Sequence, residues 1–234
     1  MKTYRGFLLD ADNTLFDYNT AEEESLEEAC REAAPNVSSA TALSVYRRIN
    51  AEYWKRLEQG SITLENLKVG RFADLLRELS VPGDPRAVSD RYLSLLSQKV
   101  YFLPHAREVV QEISRTAALC MVTNGISVVQ RGRLAASGIA EYFTAILVSE
   151  ELGMAKPDPR FFQAACDALK LRGQDLLCVG DNPIADIEGA RAAGIDACWY
   201  APHGRAWPGP GDPPALVIQD LAEIVKFARG GVYP

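Results

Sequence analysis

Asp10 and Asp12 stand two positions apart at the end of the apolar run Gly6-Phe7-Leu8-Leu9, and Asn13, Thr14 and Asp17 follow directly. Side chains alternate along an extended backbone, so two carboxylates at this spacing can address the same space while Ala11 turns away. Carboxylates held that close raise one another's pKa unless a cation lies between them. A hard divalent ion answers that need, and Mg²⁺ requires only one or two protein carboxylates beside phosphate oxygens. A carboxylate at a strand end is also a nucleophile able to form an aspartyl-phosphate. The competing reading of the same residues is an Asx-rich turn, because Asp, Asn and Thr are ordinary turn formers.

Three further groups carry chemistry of a matching kind. The apolar run 119–122 ends in Thr123-Asn124-Gly125, a hydroxyl, a carboxamide and a flexible glycine at a strand-to-helix turn. Such a turn suits phosphate through Thr123 and backbone N–H groups, although the tripeptide is also a common turn sequence. Lys156 precedes Pro157 ahead of an amphipathic segment, where its compact cation can meet a phosphoryl group or simply sit in solvent. The run 176–179 ends in Gly180-Asp181, with Asp186 in the following turn. Asp181 is placed to complete a metal site with Asp10, whereas Asp186 is also explained by the preference for an acid at a helix N-terminus.

Positioning these groups requires a large folded core. The chain has 234 residues, of which 47% are hydrophobic and 24% charged, enough for one large domain or a core with a smaller insertion. Its net charge of −6 argues against a nucleic-acid partner. The five cysteines contain no CxxC pair, which fits reduced thiols in a cytoplasmic protein. Asp10 interrupts the only apolar N-terminal stretch, and no run approaches the ~20 apolar residues of a membrane span, so neither a signal peptide nor a membrane partner is expected.

Helical periodicity is predicted over about 20–32 and 40–59, on through 79, and again to 97, with breaks at Pro35 and over 81–85. No strand pattern occurs between 17 and 103, so this stretch reads as an all-helical insertion after the first strand. Beyond it, apolar strands at 118–122, 145–148, 176–179 and 197–200 alternate with helices at 106–115, 128–137, 159–169 and 184–193, before a last short strand and helix within 216–227. That alternation predicts an α/β protein with a Rossmann-like, doubly wound parallel sheet. The expected domains are a core of 1–16 with 103–234 and a helical domain of 17–102.

All four chemical groups fall at predicted strand C-termini. Their order resembles the haloacid dehalogenase superfamily, whose motifs match as Asp10-x-Asp12-x-Thr14, Thr123, Lys156 and Gly180-Asp181-x-x-x-x-Asp186 over nearly the whole chain. The helical insertion looks like that superfamily's C1-type cap. The stretches Gly60-Ser61-Ile62-Thr63, Gly70-Arg71-Phe72, Thr123-Asn124-Gly125, Ser149-Glu150-Glu151-Leu152-Gly153 and Ala197-Cys198-Trp199-Tyr200 look like its pyrimidine 5'-nucleotidase branch.

The resemblance implies that Asp10 attacks phosphorus and that Asp12 serves first as acid and then as base. Mg²⁺ is then held by Asp10, the Asp12 carbonyl and Asp181. Thr123, the Asn124 backbone and Lys156 hold phosphoryl oxygens, with Thr14 and Asp186 supporting them. The substrate it implies is a nucleoside 5'-monophosphate, and Lys68, Arg71 and Phe72 in the cap are the candidates for reading its base, against a plain reading of Phe72 as cap core. A dehalogenase has no need of Asp12, but a phosphomutase, or a phosphatase for phosphoglycolate or sugar phosphates, keeps it. A non-enzymatic phosphate-binding regulator is expected to lack at least one of Asp10, Asp12, Lys156 and Asp181. His105 and His203 match no motif, and Trp199, Tyr200 and Trp207 read as packing residues.

Overall fold

A computed structural model describes residues 2–33 and 36–228. Pro35, where a break is predicted, and residues 229–234 lie outside the described residues. The chain forms two compact units, Met1–Tyr18 with Val100–Pro234, and Asn19–Lys99.

The first unit is built on β1 (Gly6–Leu9), whose four residues are all buried. The chain leaves β1 for α1 (Tyr18–Ala33), α2 (Ser39–Glu58), α3 (Leu64–Glu78) and α4 (Pro85–Leu96), then returns to α5 (Ala106–Ser114). There follow β2 (Ala118–Thr123), α6 (Ser127–Ser137), β3 (Ala145–Val148), α7 (Ser149–Leu152), α8 (Pro159–Leu169) and β4 (Leu176–Gly180). The described chain ends with α9 (Gly189–Ala192), β5 (Asp196–Tyr200), β6 (Leu216–Ile218) and a 3₁₀ segment, Leu221–Phe227. The six strands lie in the order β3-β2-β1-β4-β5-β6, and each pairing is parallel. This is the doubly wound arrangement that the alternating pattern predicts. In it the strand order reverses beside β1, and ligands bind outside the C-terminal ends of the strands at that point.

Helices cover both faces, so the strands are continuous apolar runs. Phe7 and Leu9 join Leu119, Met121, Leu177 and Val179 on one face, under Val109, Val110 and Ile113 of α5 and Ile224 of the 3₁₀ segment. Leu8, Cys120, Val122, Leu176 and Cys178 face the other way, against Phe161, Phe162 and Ala165 of α8. This alternation follows from the two-residue period of a strand. Asp158 opens α8 by accepting from the Arg160 amide, with Pro159 at the first helical position.

One predicted helix differs. Residues 184–193 form a widened π-helical turn, Pro183–Glu188, before the short α9. Asn182 Oδ1 accepts from the Ile184 and Ala185 amides, and the Ile187 amide reaches back to the Asn182 carbonyl at 3.4 Å. That five-residue reach over-widens the turn, as π-bulges do.

The second unit is all helical. Helix α2 buries Ala42, Tyr46 and Ile49 on one stripe, and α3 buries Leu67, Arg71, Phe72, Leu75 and Leu76. Thr63 and Asn66 close a capping box at the start of α3, and Asp84 with Pro85 starts α4. The rings of Tyr46, Phe72 and Tyr92 meet at 5.3–5.5 Å. Among the described residues, no helix is long and apolar enough to cross a membrane.

Candidate active site

Asp10 is the first residue past β1, and its amide donates to the Val179 carbonyl of β4 at 3.0 Å, so both central strands fix its place. Its carboxylate is buried. Thr14 Oγ1 donates to Oδ2 at 3.0 Å, and Lys156 Nζ donates to Oδ1 at 2.7 Å. The Lys156 ammonium also reaches Asp186 Oδ1 at 2.6 Å and the Val122 carbonyl at 2.8 Å, which occupies its three hydrogens. The Asn182 amide donates to Asp186 Oδ2 at 3.0 Å. Gly180 makes this possible, since a Cβ there would overlap the Asp186 carboxylate.

Carboxylate oxygens of Asp10, Asp181 and Asp186 lie within 4.8 Å of one another. Burial pushes the Asp10 carboxyl well up, with Lys156 opposing and Asp186 and Asp181 adding to the rise. Burial likewise pushes Asp181 up to about 7, reinforced by Asp186 and opposed by Arg205 and Lys156. Burial disfavours the Lys156 cation, but the two carboxylates beside it outweigh that and hold its pKa above the usual lysine range. Lys156 pairs with Asp10 and Asp186, and Arg205 lies beside Asp181, so three acids meet two cations and remain short of positive charge. An all-oxygen set of this kind fits a hard divalent ion.

Only the backbone carbonyl of Asp12 is expected at a metal, and its carboxylate is not part of that trio. Instead Oδ2 accepts from Gln130 Nε2 at 2.7 Å, and Oδ1 pairs with Arg133 Nη2. Neither Gln130 nor Arg133 was predicted. Their three-residue spacing on α6 is a signal only once Asp12 is known to lie beside that helix.

Thr123 is buried at the end of β2, and its Oγ1 accepts from the Gly125 amide at 3.0 Å. Asn124 does more than lend its backbone. Its side chain donates to the Lys156 carbonyl at 2.7 Å and accepts from the Lys156 amide at 2.8 Å, tying two loops together. The Lys156–Pro157 peptide is cis. At the start of α6, the Ser127 amide is already taken by Glu150 Oε2 at 2.7 Å. Trp199, read from the sequence as packing alone, donates from Nε1 to the Asp181 carbonyl at 2.9 Å. Arg205, also unpredicted, lies over the Trp199 ring and reaches Asp181 Oδ2 at 3.4 Å.

The expectation that Arg71 and Phe72 face a base needs correction. Phe72 has no exposed surface and Arg71 is 1% exposed. The Arg71 guanidinium donates to Asn50 Oδ1 at 2.8 Å and lies over the rings of Tyr46, Phe72 and Tyr92. A ring enclosed by its own helical unit has no face for a ligand, and helical periodicity put both residues on the buried side of α3. Lys68, on the same helix, is half-buried.

The chain is thus an α/β protein with acids gathered at the switch point of a doubly wound parallel sheet and a buried lysine between two of them. The haloacid dehalogenase-like hydrolase family model matches residues 4–194, and the chain belongs to that family. It is 34% identical to the pyrimidine 5'-nucleotidase PynA of Streptococcus pneumoniae over 203 residues, 86% of this chain and 85% of PynA. It is 30% identical to the pyrimidine 5'-nucleotidase YjjG of Escherichia coli, over 78% of this chain and 80% of YjjG. A crystal structure of the HAD-hydrolase YfnB of Bacillus subtilis, described as bound to magnesium, superposes with a TM-score of 0.87 at 29% identity, covering 96% of this chain and 98% of YfnB.

Proposed function

We propose that the protein is a phosphomonoester hydrolase that works through an aspartyl-phosphate on Asp10 and acts on nucleoside 5'-monophosphates, pyrimidine ones foremost. The observation that carries the chemistry is the gathering of Asp10, Asp181 and Asp186 around Lys156, with Asp12 two residues on and separately held. The nucleotide part is supported by the two pyrimidine 5'-nucleotidase relatives.

In the first half-reaction a carboxylate oxygen of Asp10 bonds to phosphorus as the bond to the nucleoside oxygen breaks. The leaving oxygen takes a proton from Asp12. In the second, water gives that proton back to Asp12 while its oxygen bonds to phosphorus and the bond to Asp10 breaks. Phosphate leaves, and both carboxyl groups end as they began.

Lys156 now donates to Asp10, and an arriving phosphoryl oxygen competes for that hydrogen and releases the nucleophile. Thr123 Oγ1 accepts from Gly125, which leaves its own hydrogen for a second phosphoryl oxygen. Asp186 keeps Lys156 in place during this exchange. Mg²⁺ fits the carboxylate set, with Asp10, Asp181 and the Asp12 carbonyl to hold it, and when bound it supplies charge neutralisation between nucleophile and phosphate. Five cysteines without disulfides suit a cytoplasmic setting, and the net charge of −6 suits a small ester over a nucleic acid.

The test is phosphate release from purine and pyrimidine monophosphates, sugar phosphates and phosphoglycolate, with Mg²⁺ and with EDTA. The expected result is Mg²⁺-dependent release with the highest kcat/KM on pyrimidine monophosphates. Sugar phosphates above all nucleotides would overturn the substrate reading, and no release from any ester would overturn the hydrolase.

A further inference from the structure

We propose that Arg133 and Gln130 are positioning residues that set the Asp12 carboxylate for proton transfer to and from the substrate. This inference rests on the acid–base reading of Asp12 given above.

Both oxygens of that carboxylate are held, and by different chemistry. Gln130 Nε2 donates to Oδ2 at 2.7 Å, Arg133 Nη2 pairs with Oδ1, and the same Nη2 donates to Gln130 Oε1 at 3.2 Å. The three side chains close a ring of contacts, so the carboxylate cannot rotate without breaking at least one. Each carboxylate oxygen has a second lone pair, and that is where a transferring proton can sit. Gln130 and Arg133 are three apart on α6 and therefore project from one face. Helix α6 starts just after Thr123-Asn124-Gly125, so the element that follows the phosphate loop also aims the acid–base group. A Cβ on Gly125 would overlap Gln130 Nε2, so this glycine admits the amide to Asp12.

Arg133 is an unusual residue to keep for stability alone. It has no exposed surface, and Nε and Nη1 find no hydrogen-bond partner. Its guanidinium lies 5.3 Å from the Phe16 ring centroid and 5.8 Å from that of Tyr18, both just downstream of Asp12. Two donors stripped of water carry a desolvation cost, and a buried ion pair is often no better for stability than apolar residues of similar volume. What this arrangement does secure is direction, because its carboxylate partner is Asp12.

The experiment measures kcat/KM over a series of aryl and alkyl phosphates whose leaving groups span a wide pKa range. A departing nitrophenolate needs little help from an acid, whereas an alkoxide needs a proton as the bond breaks. Gln130→Met keeps the volume and removes the donor, and Arg133→Met does the same for the charge. Each is expected to steepen the dependence on leaving-group pKa, with losses of tenfold or more at the alkyl end and much smaller at the nitrophenyl end. Arg133→Lys should recover part of the Arg133→Met loss, and neither Met variant should add to the loss in an Asp12→Asn background. Should Arg133→Met fail to fold, Gln130→Met and Arg133→Lys carry the test.

Equal losses across the series, or losses that add to that of Asp12→Asn, would overturn the positioning role. If Asp12→Asn itself leaves the series unchanged, the acid–base reading of Asp12 fails instead.

Discussion

Lys156 is the residue on which the site's charges turn, because its three hydrogens go to Asp10, Asp186 and the Val122 carbonyl inside the protein. Removing one partner of a buried ion pair typically costs about 3–5 kcal/mol, since the remaining charge is left uncompensated. Lys156→Met is therefore expected to lower unfolding free energy by that order in denaturant titrations, with a divalent cation restoring part of it. Wild-type stability in Lys156→Met would contradict the ion-pair account. Asp10→Asn keeps shape but removes the proposed nucleophile, so its phosphate release should fall by at least about 10³-fold, or ~4 kcal/mol of barrier. Retention of activity within tenfold would show that another group attacks.

At the scale of elements, β1 and β4 deliver Asp10 and Asp181, and the turn after β4 folds Asp186 back beneath them. Gly180 allows that return, because any side chain there meets the Asp186 carboxylate. Gly180→Ala is expected to cost about 1–3 kcal/mol of stability, the usual range for overpacking, and to depress turnover with it. An unchanged melting temperature would mean that Asp186 is less firmly seated than its hydrogen bonds indicate. Strands β2, β4 and β5 also carry Cys120, Cys178 and Cys198, and all five cysteines are free and buried. Burial pushes the Cys120 and Cys198 thiols up to about 12. Thiolates are the reactive form, so a disulfide reagent should modify none quickly in the native protein and five once it is denatured. Rapid native labelling would contradict this packing.

For the whole molecule, the buried acid cluster ties folding to pH and makes a metal's presence there testable. Asp181 has a folded pKa of about 7, raised above the ordinary carboxyl value of 3.8. Its protonated form is thus favoured by folding. That contribution is full below the ordinary value and is lost as pH rises through about 7. Metal-free protein is expected to melt at lower temperature at pH 8 than at pH 5.5. Mg²⁺ competes with the proton, so the rise in melting temperature on adding it should be larger at pH 8 than at pH 6. Thermal unfolding scans with EDTA or Mg²⁺ decide it, and a larger shift at the lower pH would count against a cation among these acids.

The strand ends, the alternation of strands with helices and the helical stretch between them were legible because each depends on local pattern. Four apolar residues followed by Asp mark a buried strand delivering an acid, and that inference needs no partner. The same locality explains the miss at Arg71 and Phe72, where suitable chemistry for a ligand and a place on a buried helical stripe look alike in sequence. The ring of Asp12, Gln130 and Arg133 joins residues more than a hundred positions apart. The Trp199 and Arg205 contacts to Asp181 span 18 and 24 positions, still beyond any local pattern. Period and spacing say which face a residue occupies. Only the packing of β1 beside β2 and β4, with α6 starting at the end of β2, decided which side chain meets which, and so how the acids of this site are held.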